Sequence, residues 1–185
     1  MPELVAAHPV ARVLPAVTTS YVLKPLPPAT RFVLRGGPDV RAAAEEAFGV
    51  GLPAHACRAV TRDERAALWL GPDEWLLIAP EAAGTAVATA LSAALRGLPH
   101  SLVDVSHRQI AFLLSGPHAA TLLCCGCPLD LDESAFPVGM CTRTLLAKAE
   151  MLLWRTAAQA FRVEVSRSFA AYASQYLAEA ARGII

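Results

Sequence analysis

The sequence predicts an α+β fold of two pseudo-repeated lobes, each a mainly antiparallel sheet with packed helices. The strand patterns come in pairs joined by short turns, which is typical of antiparallel hairpins. Both halves follow one order: a strand, a helix opened by Gly-Pro, paired strands and a long helix. Phe32-Val33-Leu34 and Phe112-Leu113-Leu114 take equivalent places in that order. Such a repeat indicates a pseudo-symmetric architecture.

The first 29 residues differ in composition from the rest of the chain. They contain six prolines among scattered apolar side chains, a pattern that favours neither a helix nor a central strand. We therefore expect an extended Pro-rich arm over residues 1–29, laid across this domain or across a neighbour. A single domain follows over residues 30–185, with lobes at about 30–98 and 99–185.

The first lobe begins with a strand at residues 31–34. Gly37-Pro38-Asp39 then predicts the start of a helix, because proline suits the first helical position and an acidic residue suits the first turn. Gly49 predicts the end of that helix. The remaining elements are strands at 57–61, 66–70 and 75–78, then a helix from about 81 to 96.

The second lobe is predicted to contain a strand, a short helix, a hairpin, another strand and a final helix. They cover residues 110–114, 116–126, 143–154, 161–165 and 168–182. The final helix has the clearest pattern, since its apolar residues recur at helical spacing. Trp69, Trp75 and Trp154 fall in predicted strands, and we expect them in the core.

The composition favours a chain that faces a protein partner. Apolar residues make up 55% and charged residues 17%, against about 25% charged residues in a typical soluble domain. A surface with so few charges favours a partner interface, although a compositional bias toward alanine is the alternative. The 16 basic and 16 acidic residues give zero net charge, and the basic residues do not cluster. Binding to nucleic acid or to a membrane surface is therefore not expected.

The N-terminus and the cysteines indicate a cytoplasmic protein. Residues 1–20 lack the basic start and clean apolar stretch of a secretory signal. No apolar run reaches the length of about 20 residues that spans a bilayer. Five cysteines, three of them crowded between 124 and 127, do not fit a secreted disulfide framework.

The sequence contains no complete catalytic motif. The segment that most resembles one is better explained as a local structural feature. The sequence has neither a Gly-x-Gly-x-x-Gly turn after a strand nor a phosphate-binding Gly-Lys-Ser/Thr loop. Asp104-Val105-Ser106-His107-Arg108 contains the residue types of a catalytic triad. In a strand, however, His107 would point away from Asp104 and Ser106. We expect Asp104 and Ser106 to form local hydrogen bonds at a strand corner.

The cysteine cluster has two interpretations. Cys124 and Cys127 form a Cys-x-x-Cys pair, which His118 and Cys141 could complete as a metal or redox site. Alternatively, the cluster is a small apolar stripe of a helix, because buried free cysteine behaves as a small hydrophobe. The core interpretation is the one predicted, with this stripe: Ala120, Leu123, Cys124 and Cys127. No role is assigned to Cys125.

Several segments together resemble one protein family. Residues 70–77 read LGPDEWLL, residues 104–108 read DVSHR, residues 126–131 read GCPLDL and residues 136–139 read FPVG. Further matches follow in the family's order to the C-terminus, while the first 60 residues match only loosely. On these segments the sequence resembles the gamma subunits of heterotetrameric sarcosine oxidase.

The resemblance implies a non-catalytic subunit in an assembly with alpha, beta and delta subunits. The assembly demethylates sarcosine oxidatively to glycine, with formation of hydrogen peroxide and 5,10-methylenetetrahydrofolate. FAD, FMN and NAD are implied in the large subunits and zinc in the delta subunit. The implied fold is similar to that of folate-dependent aminomethyltransferases. No catalytic, cofactor-binding or metal-binding residue is implied in this chain.

Two other functions remain open from the residues alone. A free-standing folate-binding protein of the aminomethyltransferase class would need a carboxylate in a concave pocket, and Asp104 and Glu164 are the candidates. A small thiol or metal protein would use Cys124, Cys127 and Cys141.

Overall fold

The computed structural model describes residues 16–184, and this range contains eleven strands and four α-helices. In chain order these are β1 Ala16–Val17, β2 Val22–Pro25, β3 Ala29–Gly36, α1 Pro38–Phe48, β4 Ala59–Arg62, β5 Arg65–Gly71, β6 Glu74–Pro80, α2 Gly84–Ala94, β7 His100–Asp104, β8 Gln109–Ser115, α3 Ala119–Cys124, β9 Cys141–Leu146, β10 Ala149–Ala157, β11 Ala160–Ser166 and α4 Ala170–Ile184. None of the helices in this range has both the length and the apolar character needed to cross a bilayer.

The strands form two antiparallel sheets. Sheet A has six strands in the order β1-β2-β8-β11-β10-β9, and sheet B has five in the order β4-β5-β6-β3-β7. Every strand pairing within the described residues is antiparallel. The predicted α+β class with mainly antiparallel sheets is confirmed.

Each sheet contains strands from the other half of the chain: sheet A contains β1 and β2, and sheet B contains β7. β2 pairs with β8 and so joins the C-terminal strands in sheet A. β7 pairs with β3 and so joins the N-terminal strands in sheet B. Apart from β1 and β2, the strands of sheet B precede residue 105 and those of sheet A follow it. After α2 the chain turns at Gly97 and returns to the edge of sheet B as β7 before it re-enters sheet A at β8.

The predicted N-terminal arm is described from Ala16 onward, and residues 1–15 lie outside the described residues. Between residues 16 and 25 the structure has a short hairpin of β1 and β2 where the sequence predicts an extended segment. Tyr21 and Leu23 of this hairpin are buried in the core of sheet A. The hairpin forms because β8 offers an edge with which β2 can pair, and the pairing removes these apolar side chains from water.

Alternation along the strands produces four layers: helices, sheet B, sheet A and helices. In β6, Trp75, Leu77 and Ala79 pack with the residues of α1 and α2. The intervening Leu76 and Ile78 pack against sheet A. β10 alternates in the same way between sheet B and the helices α3 and α4. Side chains of successive strand residues point to opposite faces, so both faces of each sheet are covered.

The layer between the two sheets contains fewer buried apolar side chains than the layer between either sheet and its helices. Its buried apolar residues are Ala66, Leu68, Leu76, Ile78, Cys141 and Leu152. At one corner the sheets are also joined through the backbone, because an isolated antiparallel bridge pairs Arg58 with Met140. This bridge connects the start of β4 to the start of β9, which are edge strands of the two sheets.

The ends of α1 follow from local sequence as predicted. Pro38 begins the helix, where its missing N–H leaves no intrahelical hydrogen bond unmade. Gly49 ends it in the left-handed conformation, at φ 77°, and its N–H donates to the carbonyl of Glu45. The helix buries Val40, Ala44 and Phe48.

Gly116, which follows β8, packs directly against the N-terminal hairpin. Its φ is 117°, and a Cβ atom there would lie 2.8 Å from the carbonyl oxygen of Ser20 and 2.9 Å from Cα of Tyr21. Gly116→Ala is expected to lower the free energy of unfolding by about 2–4 kcal/mol, because the strained backbone and the clash act together. Urea denaturation followed by tryptophan fluorescence measures this loss.

Gly97→Ala is the matched control for this prediction. Gly97 also has a positive φ, 84°, but an added Cβ would meet nothing within 4 Å. Its expected loss is about 1 kcal/mol, from the backbone alone. Equal losses in the two variants would contradict a steric role for the hairpin at Gly116.

Candidate functional site

A cavity of about 670 Å³ opens where the chain crosses from sheet A to sheet B. Its walls are the linker at residues 26–28 with the first residues of β3, the first turns of α2, the corner between β7 and β8 with the start of β8, and Arg167. The volume lies within the range of about 300–1,000 Å³ that is usual for small-molecule pockets. Asp104, Ser106 and His107 of the motif identified in the sequence line this cavity.

The corner between β7 and β8 uses Asp104 and Ser106 for local hydrogen bonds, which confirms that prediction. Strand β7 ends at Asp104, whose Oδ1 accepts the N–H of Ser106 at 2.8 Å. The hydroxyl oxygen of Ser106 accepts the N–H of Arg31 at 2.9 Å and so attaches the corner to β3. Hydrogen bonding from Ser106 lowers the pKa of Asp104, which is therefore an ionised carboxylate at neutral pH.

Glu164 is completely buried between the two sheets and is bound by two arginines. Arg31 of β3 donates from Nε at 2.6 Å and from Nη2 at 3.3 Å. Arg162 of β11 donates from Nε at 2.8 Å. Burial alone would raise the pKa of Glu164, but the charges of Arg162 and Arg31 and their hydrogen bonds outweigh it and lower that pKa. A carboxylate held ionised by two cations is a poor proton acceptor, so Glu164 is suited to structure rather than to acid–base chemistry.

A second cavity of about 330 Å³ lies between the inner faces of the sheets. An ion pair between Arg143 of β9 and Glu74 of β6 also connects the sheets on this side. The cavity is lined about equally by apolar side chains, among them Val33 and Leu76, and by polar or charged ones, among them Arg108, Arg143 and Glu150. Such a surface can accept an apolar group, but it does not place a nucleophile next to a base.

The cysteines do not assemble a metal site. All five are free thiols, and no group of three or more His, Cys, Asp or Glu side chains between residues 16 and 184 is arranged to hold an ion. Cys127 is buried as predicted, but Cys124 and Cys125 are exposed. The predicted apolar stripe is therefore wrong at Cys124. The helix α3 buries Leu123 as predicted, together with Ala119 and Leu122, and its buried face is rotated so that Cys124 lies outside it.

Sequence reasoning did not identify Arg31 as the partner of Glu164. Arg31 lies in a strand of otherwise apolar pattern and is 2% exposed. A charged residue at an inward position of a buried strand needs a partner of opposite charge, so that position was a usable signal. The identity of the partner was not available from the sequence, because the two residues are far apart along the chain.

The family model and the relatives found by comparison with known proteins agree with one another. The model of the sarcosine oxidase, gamma subunit family matches residues 35–183. A sarcosine oxidase subunit gamma of Arthrobacter sp. is 41% identical over 147 residues, covering 78% of this chain and 71% of that protein. The subunit gamma of Corynebacterium sp. (strain U-96) is 38% identical over 167 residues, covering 89% of this chain and 76% of that protein.

Two solved structures define the fold relationship. A chain of the heterotetrameric sarcosine oxidase from Corynebacterium sp. U-96, in complex with pyrrole 2-carboxylate, superposes with a TM-score of 0.83 at 35% identity. The match covers 95% of this chain and 90% of that chain. The glycine cleavage system aminomethyltransferase T from Bartonella henselae superposes with a TM-score of 0.64 at 12% identity, over 91% of this chain and 47% of that one. This second likeness shows a shared fold.

Removing the charge of Glu164 should destabilise the packing between the sheets. Glu164→Gln leaves two cations without their buried partner, so the free energy of unfolding should fall by about 3–5 kcal/mol. Urea denaturation at neutral pH measures this loss. Glu179→Gln is the control, because Glu179 pairs with Arg182 on the exposed surface of α4 and such pairs contribute less than about 1 kcal/mol. A loss below 1 kcal/mol for Glu164→Gln would contradict the structural role of the buried pair.

Proposed function

The chain belongs to the sarcosine oxidase, gamma subunit family, and from this premise we propose that it is the non-catalytic gamma subunit of a heterotetrameric sarcosine oxidase. In this role the chain supports the oxidative demethylation of sarcosine by subunits that carry the chemistry. A rigid scaffold around a catalytic centre can be essential for turnover without contacting the substrate.

The match to one chain of a heterotetrameric sarcosine oxidase carries this proposal. That match extends over 95% of this chain and 90% of the other, so the two chains correspond along nearly their whole length. A chain that corresponds so fully to one subunit of an assembly is best explained as the same subunit of a similar assembly.

The two carboxylates that could act in catalysis already have hydrogen-bond partners within the chain, and this supports a non-catalytic role. Asp104 is bonded to the backbone of its own corner, and Glu164 is enclosed by two arginines. These were the two carboxylates that a folate-binding enzyme of the aminomethyltransferase class would have used. The likeness to aminomethyltransferase T, at 12% identity, concerns the fold alone.

The finer features of the assembly are part of the same proposal. The products would be glycine, hydrogen peroxide and 5,10-methylenetetrahydrofolate. FAD, FMN and NAD would be held by the alpha and beta subunits and zinc by the delta subunit. The complex would be cytoplasmic and would bind neither nucleic acid nor a membrane. The low content of charged residues, 17%, supports contact with these partner subunits.

Co-expression tests the proposed partnership. Expressed alone, the chain should be colourless and inactive toward sarcosine, and it should aggregate because partner-facing surface is exposed. Co-expression with the alpha, beta and delta subunits should yield a soluble complex that contains this chain in equal amount and oxidises sarcosine. Size-exclusion chromatography with an oxygen-consumption assay measures both results. A soluble monomer that does not bind the other subunits would contradict the proposal.

Substitution at the corner motif tests the absence of catalysis in this chain. Asp104→Asn removes the charge but keeps an oxygen that can accept the N–H of Ser106. Turnover of sarcosine by the assembled complex should change by less than about twofold, whereas loss of a general acid or base typically costs a factor of about 100 or more. Steady-state kcat and KM of the complex decide between these values. A hundredfold loss of kcat with normal assembly would show that Asp104 takes part in catalysis and would contradict the proposal.

A further inference from the structure

Cys57 and Cys141 lie opposite each other where the edge strands of the two sheets meet. The isolated antiparallel bridge pairs Arg58 with Met140, the residues next to Cys57 and Cys141 in the chain, and Cys57 itself lies in the turn that precedes β4. The N–H of Cys141 donates to the carbonyl of Cys57 at 3.0 Å. Directly opposed residues of an antiparallel pair have Cα atoms about 4.5–5.5 Å apart. Disulfides join residues with Cα separations of about 4.4–6.8 Å.

The side chain of Cys141 is directed toward the segment that contains Cys57. Its Sγ contacts the carbonyl oxygen of Arg58, the residue after Cys57, at 3.3 Å. Burial raises the pKa of the Cys141 thiol to about 12.

The backbone of Cys57 adds an independent observation. Its φ is 58°, in the left-handed region that residues other than glycine occupy infrequently. Strained conformations of this kind persist where the surrounding structure imposes them, and they recur at functional positions. Here the left-handed conformation is found at the residue whose carbonyl accepts the N–H of Cys141.

We propose that Cys57 and Cys141 form a peroxide-sensitive pair whose oxidation produces a disulfide between the two sheets. Cys57, which is half-buried, reacts first: its sulfur attacks one oxygen of hydrogen peroxide, giving a sulfenic acid and water. The sulfur of Cys141 then attacks the sulfenic sulfur. The S–S bond forms, the S–O bond breaks, and hydroxide leaves as water with the proton of Cys141. Two thiols lose two electrons in total, and one peroxide is reduced to two waters.

Burial determines the order and the speed of these steps. Cys141 is enclosed in the inner layer between the sheets, so peroxide reaches Cys57 first. The second step needs local opening of the corner and loss of a proton from a thiol of high pKa. The disulfide is therefore expected to form over minutes to hours rather than seconds.

The disulfide would tie the two sheets together covalently at their edges. β4 follows Cys57 at one edge of sheet B, and β9 begins with Cys141 at one edge of sheet A. Because the bond would close a long loop of the chain, it is expected to raise the Tm of the chain by roughly 5–15 °C. Reduction with dithiothreitol should reverse the shift.

Peptide mapping of the assembled complex tests the proposal directly. The complex is incubated with hydrogen peroxide, unfolded in urea, alkylated and digested without reduction. Mass spectrometry should then detect the peptides of Cys57 and Cys141 joined by a bond that reduction removes. In Cys57→Ser, Cys141 should be recovered as an alkylated thiol after the same treatment. A double variant, Cys124→Ser with Cys125→Ser, removes the exposed thiols of α3 and should leave the cross-link unchanged.

Recovery of Cys141 as a free, alkylated thiol would overturn the proposal if Cys124 and Cys125 were already oxidised at the same peroxide concentration. A disulfide from Cys141 to any other cysteine would overturn it as well. Since peroxide is added from outside, neither outcome depends on whether the complex itself oxidises sarcosine. Failure of the disulfide proposal is thus distinguishable from failure of the proposed function.

Discussion

The contact between Glu164 and its two arginines is the constraint on which the packing of the sheets depends. The layer between the sheets buries few apolar side chains, so apolar contact alone specifies their relative position weakly. Arg31 is on sheet B, while Glu164 and Arg162 are on sheet A. A shift of β11 by one residue would turn Glu164 toward the apolar outer core, where its charge would have no partner. The ion pair therefore determines which register of β11 within sheet A allows the two sheets to pack.

The exchange of strands between the halves makes the two lobes inseparable. Sheet A is incomplete without β2, and sheet B is incomplete without β7. The linker that carries the chain from β2 to β3 forms one wall of the larger cavity, and the corner after β7 forms another. The cavity is thus a by-product of two crossings between the sheets. Its position at these crossings explains why Asp104 and Ser106 are occupied in holding the corner together.

Local features were predictable from the sequence, and long-range ones were not. The start of α1 at Pro38 and its end at Gly49 depend on backbone preferences of single residues, and both were predicted. The allocation of β7 to sheet B depends on an edge that β3 provides, which no local pattern reveals. The exposed position of Cys124 depends on a modest rotation of a six-residue helix, too short for its apolar period to define a face. The pairing of Arg31 with Glu164 required knowledge of which sheet faces which.

The early position of β2 affects how the chain is made. Pro25 pairs with Phe112, roughly ninety residues later in the sequence. At translation rates of about 5–20 residues per second, β2 leaves the ribosome some 4–18 seconds before its partner strand. Sheet B can close only after β7 has emerged, and sheet A only after β11 and β10 are complete. During that interval Tyr21 and Leu23 lack the edge of β8 and the core in which they are finally buried.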